Sequence, residues 1–153
     1  TVPYTTVPML PPREPDGHKG TYGTVLVVAG SRGMAGAAAL VGASALRCGA
    51  GLVRVACPGE VAHTVATFEP SYMTWPLPCD ERGKLLDEPT RVELRAECLP
   101  GATTLAMGPG LGRSPQVASL VHWVAQSIEL PLVLDADGLN AFEGDPLPLT
   151  SRP

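Results

Sequence analysis

Two kinds of residue in this chain stand where they could do chemistry. The first is a pair of carboxylates and an amide in Leu134-Asp135-Ala136-Asp137-Gly138-Leu139-Asn140, directly after the apolar run Pro131-Leu132-Val133-Leu134. Carboxylates at the end of a buried strand are costly unless something hydrogen-bonds or uses them. Asp135 could orient a hydroxyl or a magnesium-bound water, and Asn140 could hydrogen-bond a ligand amide. Alternatively, Asp137 caps a short helix and Asp135 only fixes the turn. The second kind is a glycine turn that opens a helix. Gly30-Ser31-Arg32-Gly33-Met34-Ala35-Gly36 precedes Ala37-Ala38-Ala39-Leu40, and Gly108-Pro109-Gly110-Leu111-Gly112 precedes Arg113-Ser114-Pro115. Glycine permits positive φ and close backbone approach. The following helix offers unpaired N–H groups and the positive end of its dipole, which suit phosphate. Neither GxxxxGK[ST] nor GxGxxG is present, so neither familiar nucleotide fingerprint applies.

The elements that must position these residues follow from apolar patterning. Val25-Leu26-Val27-Val28-Ala29 reads as a strand before the first glycine turn, and Ala37 to Cys48 as a helix whose small residues allow close packing on a sheet. Gly49 and Gly51 end that helix. Leu52 to Cys57 is nearly continuous in apolar character apart from Arg54, as in a sheet covered on both faces. A helical stretch follows from Pro58 to about Thr67. Tyr72 to Leu77 alternates like an edge strand closed by Pro76, Cys79 to Gly83 reads as a turn, and Glu88 to Cys98 as a helix starting near Pro89. Thr103 to Met107 is the strand before the second glycine turn. Ser114 and Pro115 carry helix-start chemistry, with Val117, Leu120, Val121, Val124 and Ile128 at helical spacing beyond. Repeated strand–turn–helix units predict a largely parallel sheet with helices on both faces. Ligands then bind outside the carboxyl ends of the strands, where the turns at Gly30, Gly108 and Asp135 can converge on one crevice. The residues alone therefore imply an α/β domain with a site for a small phosphorylated ligand.

Composition narrows the alternatives. The chain has 153 residues, 44% of them hydrophobic, and a net charge of −4 without a Lys/Arg cluster. That is enough for one core and argues against nucleic acid or an anionic membrane as partner. Apolar runs fall far short of a membrane span, and cysteines that read as free thiols of a reducing cytosol give the expectation of a cytoplasmic location. Cys48, Cys57, Cys79 and Cys98 have no metal-ligand spacing and read as free thiols; no metal ligand set is visible. Residues 1–16 form a Pro-rich arm, expected to be extended, and 17–153 a single domain. Lys19, in Gly17-His18-Lys19-Gly20-Thr21-Tyr22-Gly23, could reach an anion or be a solvated loop lysine. His18 is expected to be exposed, and His122 to be a surface or packing residue. A start at Thr1 rather than Met reads as a trimmed chain.

At these same residues the sequence resembles a known family. His18-Lys19-Gly20-Thr21-Tyr22-Gly23, Gly30 to Ala38, Gly49-Ala50-Gly51-Leu52-Val53, Gly108 to Gly112 and Leu134 to Asn140 are similar, in order, to motifs of the ADP-dependent NAD(P)H-hydrate dehydratases. The resemblance implies a ribokinase-like three-layer α/β/α fold with a largely parallel central sheet, here truncated. It implies a lyase that repairs nicotinamide cofactors, acting on NADH or NADPH hydrated at C6, with ADP (or ATP) and Mg2+. Phosphate leaves far more readily than hydroxide, which is the chemical sense of phosphorylating that hydroxyl. Matched residue by residue, it assigns Ala37, Gly108, Gly110, Gly112, Asp135 and Asn140 to the hydrated cofactor. Lys19, Tyr22, Gly33 and Gly36 fall on the phosphate side. A homo-oligomer is also implied.

Gly138 replaces the family's usual Ala in the aspartate motif. The family's His-Pro-Gly-Glu loop and its Gly-Thr-Gly-Asp loop, which carries the catalytic base, find no match before Pro153. No residue here matches that base, and the chain by itself is expected to be inactive. Two other classes stay open: another ribokinase-like small-molecule kinase, acting for example on a thiamine-pathway alcohol, and a non-catalytic cofactor-binding or assembly module.

Overall fold

The computed structural model describes residues 12–150. Strands β1 (Thr24–Val28), β2 (Leu52–Pro58), β3 (Met73–Leu77), β4 (Thr104–Met107) and β5 (Leu132–Leu134) form a sheet in the order β3-β2-β1-β4-β5. Every pairing is parallel, with Leu26 opposite Arg54 and Leu105, and Leu105 opposite Leu132. The helices are α1 (Ala35–Arg47), α2 (Gly59–Phe68), α3 (Asp87–Glu93), α4 (Pro115–Ser127), α5 (Asp137–Asn140) and α6 (Leu147–Thr150). No apolar periodicity anticipates α6.

The pleat divides the core into two layers. Val27, Val53, Val55 and Cys57 pack with Ala38 of α1 and Val61, Ala62 and Val65 of α2. Leu26, Val28, Ala56, Leu105 and Met107 pack on the other face with Leu94, Leu120, Val121 and Val124. Neighbouring residues along β1 serve opposite layers, so a parallel sheet needs an unbroken apolar run rather than alternation. The small-residue surface of α1 has a specific use at Gly42, where a Cβ would sit 2.7 Å from Val55 Cγ2 and 3.0 Å from the Tyr72 ring. At the start of α4, the Ser114 Oγ accepts from the Val117 N–H at 3.1 Å, as its position before Pro115 implies.

Local readings differ from the structure in two places, and at His18 the structure adds to the reading. Pro76 does not close β3; it lies within the strand, opposite Cys57, because an edge strand does not need its missing N–H. The helix expected from Glu88 to Cys98 is α3 followed by a π-helical turn, Leu94–Cys98, marked by the Leu99 N–H donating to the Leu94 carbonyl. Arg54, the polar interruption of β2, explains how that turn ends. Its Nη1 donates to the carbonyls of Cys98 (3.0 Å) and Pro100 (2.6 Å), and its guanidinium lies over the Trp75 ring. It thereby satisfies carbonyls that a helix end leaves unpaired, while its own Nε is buried without a partner. Lastly, His18 is exposed but not idle: its Nδ1 accepts from the Gly20 N–H and caps the 3-10 turn Lys19–Tyr22.

Residues 1–11 of the expected arm lie outside the described residues. From residue 12 on, the arm is tied down at Arg13, which donates to the Gly49 carbonyl (2.8 Å) and lies 4.2 Å from the Tyr22 ring centroid. Cys48, Cys57, Cys79 and Cys98 are all free thiols. Burial pushes the Cys57 thiol up to about 11 and the Cys98 thiol up to about 12, which keeps both inert packing groups. Among the described residues, no helix is long and apolar enough to cross a membrane.

Candidate functional site

The carboxyl ends of β1, β4 and β5 lead into the first glycine turn, the second glycine turn and the aspartate turn. The three are joined by main-chain groups and by the side chains of Ser31 and Asp137. The Gly30 N–H donates to the Pro109 carbonyl at 2.9 Å, and the Ser31 Oγ donates to the Gly110 carbonyl at 2.7 Å. Ala37 sits beneath Gly110, where a Cβ would lie 2.9 Å from the Ala37 methyl. The second turn meets the third just as closely. A Cβ at Gly108 would collide with the Asp135 carbonyl oxygen, and one at Gly138 would lie 2.8 Å from the Met107 carbonyl oxygen. Gly108 has φ 132°, Gly110 φ 70° and Gly112 φ 73°. At Gly108 and Gly110 only glycine supplies both the absent side chain and that backbone.

The aspartate turn carries a conformation unusual for its residue type. Ala136 has φ 48° and ψ −116°, the one positive-φ residue other than glycine among those described. It is held by the Gly138 N–H donating to the Asp135 carbonyl (2.9 Å) and the Asn140 N–H donating to the Ala136 carbonyl (3.0 Å). Asp137 does not cap α5. Its Oδ2 accepts from the Gly112 N–H at 2.8 Å and its Oδ1 from Asn140 Nδ2 at 3.0 Å. The Asp135 side chain is exposed, while Asp137 and Asn140 are half-buried. A cavity of about 350 Å³ opens beside this contact, lined by Gly112, Arg113, Ser114, Asp137, Asn140 and Glu143 among others.

The structure thus gathers Ala37, Gly108, Gly110, Gly112, Asp135 and Asn140 at one end of the sheet. Gly33 and Gly36 belong to the same end, and a Cβ at Gly33, Gly36 or Gly112 would meet open space. Lys19 and Tyr22 are not brought there. They lie before β1, where the Tyr22 carbonyl accepts from the Gly51 N–H at the start of β2, at the amino end of the sheet. A strand's length separates them from the glycine turns, which corrects their placement on the phosphate side of this crevice. His122, expected to be a surface or packing residue, packs: its Nε2 is 2.8 Å from the Ala141 carbonyl and its ring centroid 4.3 Å from that of Phe142.

The turn expected over Cys79 to Gly83 is present, but its contacts with the two glycine turns were not anticipated. Residues 78–86 form a hairpin closed by the Leu86 N–H to the Pro78 carbonyl (3.1 Å) and the Asp80 N–H to the Lys84 carbonyl (2.8 Å). Arg32, in the first glycine turn, donates to both carboxylate oxygens of Glu60 (2.5 and 2.8 Å) and to the Glu81 carbonyl (2.6 Å). Lys84 Nζ donates to the Arg113 carbonyl beyond the second turn at 3.0 Å. Residues this distant in sequence carry no local signal of their meeting. The hydrogen bond from Arg32 holds the Glu60 carboxyl below its usual range, and the Lys84 and Arg82 N–H groups do the same for Asp80. A lowered carboxylate contributes stability above its unfolded pKa and loses it as pH falls through the folded one. The contribution of these two carboxylates to the hairpin is therefore expected to be complete at neutral pH and to weaken as pH falls below the ordinary carboxylate range. Amide shifts of Gly83 and Lys84 followed through an acid titration check this; a midpoint at or above the ordinary carboxylate value contradicts it.

Parallel strands with helices on both faces, and glycine turns converging without a P-loop at the carboxyl ends of the strands, define an α/β domain of the class whose ligands bind at that end. The sequence pattern of the NAD(P)H-hydrate dehydratases matches residues 25–152, and the chain belongs to that family. It is 42% identical over 141 residues to the bifunctional NAD(P)H-hydrate repair enzyme Nnr of Moorella thermoacetica, covering 92% of this chain and 26% of that protein. The ADP/ATP-dependent NAD(P)H-hydrate dehydratase of Bacillus subtilis, co-crystallised with ATP/Mg2+, superposes with a TM-score of 0.67 at 32% identity, over 85% of this chain and 43% of that one. A ribokinase-like superfamily protein of Enterococcus faecalis shares the fold, with a TM-score of 0.68 at 22% identity. The chain thus spans less than half the length of each.

Proposed function

We propose that this chain forms the part of an ADP-dependent NAD(P)H-hydrate dehydratase that receives the C6-hydrated nicotinamide cofactor. The observation that carries the reading is the joining of three turns at the carboxyl ends of β1, β4 and β5. Such an end is where open parallel sheets take ligands, and rigid main-chain groups there can orient a flat ring and its phosphates. Ala37, Gly108 and Gly110 form the close-packed floor, and Gly112, Asp135 and Asn140 line the side towards β5. Gly33 and Gly36 leave room for phosphate at the start of α1.

Bound nucleotide with Mg2+ would supply the phosphoryl group that makes the C6 oxygen a good leaving group. Magnesium commonly takes one or two carboxylates plus substrate phosphates. Among the described residues there is no group of three His, Cys, Asp or Glu that could hold a metal. The residues present do not by themselves form a magnesium cage, and the ion's chemistry is assigned to none of them. No residue here is assigned as the base. Homo-oligomer formation belongs to the same proposal: among the described strands β5 pairs only with β4, so its other edge is open to a second copy.

Calorimetry with hydrated NADH, hydrated NADPH and a thiamine-pathway alcohol tests the reading on this chain. Binding of a hydrated cofactor and not of the alcohol is expected. The reverse selectivity would assign the domain to another ribokinase-like kinase. Addition of ADP should leave the reduced-nicotinamide absorbance unrecovered by this chain alone; recovery would make Asp135 or Asp137 the candidate base.

A further inference from the structure

We propose that Asp137 is a positioning residue: its carboxylate sets the shape of the second glycine turn, and Asn140 acts by orienting that carboxylate. Both carboxylate oxygens are already committed, Oδ2 to the Gly112 N–H at 2.8 Å and Oδ1 to Asn140 Nδ2 at 3.0 Å. A carboxylate so engaged is poorly placed to take a proton from a ligand. It is well placed to fix a backbone N–H that glycine's own freedom would leave mobile. Gly112 has φ 73° and open space where a Cβ would be, so no side-chain packing holds it. The rest of the turn is fixed from other directions. Gly108 is pinned against the Asp135 backbone, and Gly110 by the Ser31 hydroxyl and the Ala37 methyl.

The aspartate can reach Gly112 because of the turn it stands on. The sharp conformation at Ala136 and the flush packing of Gly138 on Met107 and Gly108 bring the start of α5 beside the second turn. Asn140, one helical step along, faces the same carboxylate. Its amide is a donor here, which requires an acceptor at position 137. The pair is therefore directional: one acceptor group and one donor group, three residues apart.

Directionality gives a test by exchange of roles, and only its ligand measurement rests on the cofactor reading above. In the whole chain, Asp137→Ala should speed hydrogen exchange at the Gly112 amide by about tenfold or more, the scale of a charge-assisted hydrogen bond. Asn140→Asp sets two carboxylates together and should also loosen Gly112, whereas Asp137→Asn keeps an acceptor for the Gly112 N–H, and its amide can still pair with that of Asn140 when one of the two turns over, so it should loosen Gly112 less. The double variant D137N/N140D restores a donor–acceptor pair while leaving an acceptor for the Gly112 N–H. It should recover slow exchange, a non-additivity expected of directly coupled residues. Hydrated NADH affinity should fall and recover in step. Unchanged Gly112 exchange in Asp137→Ala, or no recovery in the double variant, overturns the proposal. Recovery of exchange without recovery of affinity also overturns it, because the charge at 137 would then be used by the ligand itself. If the wild-type chain binds no hydrated cofactor, the functional reading fails while the exchange measurements still decide the positioning role.

Discussion

Gly108→Ala is expected to destroy the crevice and to cost about 3 kcal/mol or more of stability. Two independent penalties fall on one methyl group. The backbone at Gly108 has φ 132°, which an L side chain rarely adopts, and the added carbon would enter the Asp135 carbonyl oxygen and stand 2.7 Å from the Gly138 nitrogen. Both neighbours are main chain, so no side chain can rotate away. Relief requires the second glycine turn and the aspartate turn to separate, which breaks the contact that forms the site. Thermal unfolding should show a midpoint lower by about 10 °C for a chain of this size. Hydrated-cofactor binding should be lost even at temperatures where the variant is folded. Gly112→Ala provides the internal comparison. Its φ of 73° is also positive, but its Cβ would meet nothing within 4 Å, so its cost should be about 1 kcal/mol. Equal costs at the two positions would show that backbone conformation alone, and not close approach of the turns, governs this end of the sheet.

The second large effect is expected at the opposite end. At Gly51→Ala the new methyl would collide with the Lys19 carbonyl and lie 3.2 Å from the Gly23 carbonyl oxygen. The 3-10 turn Lys19–Tyr22 would be pushed off the start of β2. The hydrogen bonds from the Gly51 N–H to the Tyr22 carbonyl and from the Leu52 N–H to the Gly23 carbonyl would go with it. Loss of these two bonds plus the rearrangement should cost about 2–4 kcal/mol. Because this contact lies a strand's length from the glycine turns, the folded fraction should keep its affinity for hydrated cofactor. Denaturant melts combined with binding at low temperature separate the two readouts. A fall in affinity per folded molecule would place Lys19 and Tyr22 back within reach of the ligand.

These variants also mark what could be read from residues alone. The apolar runs that become β1, β2 and β4, the Ser114–Pro115 start of α4 and the small-residue face of α1 are local in origin. Each depends on neighbours within a turn or a strand, so composition and spacing suffice. The three turns could be expected to meet because a parallel strand–helix array leaves its strand ends on one side. Their chemical character was likewise present in the glycines and in Asp135, Asp137 and Asn140.

What each of those residues does was not local. Asp137 at the first position of a short helix is indistinguishable in sequence from a cap; only the approach of Gly112 makes it a tether between turns. Arg32 reads as one more polar residue in a loop until Glu60 and Glu81 are folded beside it. Lys19 and Tyr22 share a motif-rich neighbourhood with the first glycine turn, yet the length of β1 carries them to the far end of the sheet. Spacing along a chain determines which element a residue occupies and which end of a strand it follows. Only the register of the sheet and the packing of turn on turn decide which main-chain groups come close enough to need a glycine or to accept a carboxylate.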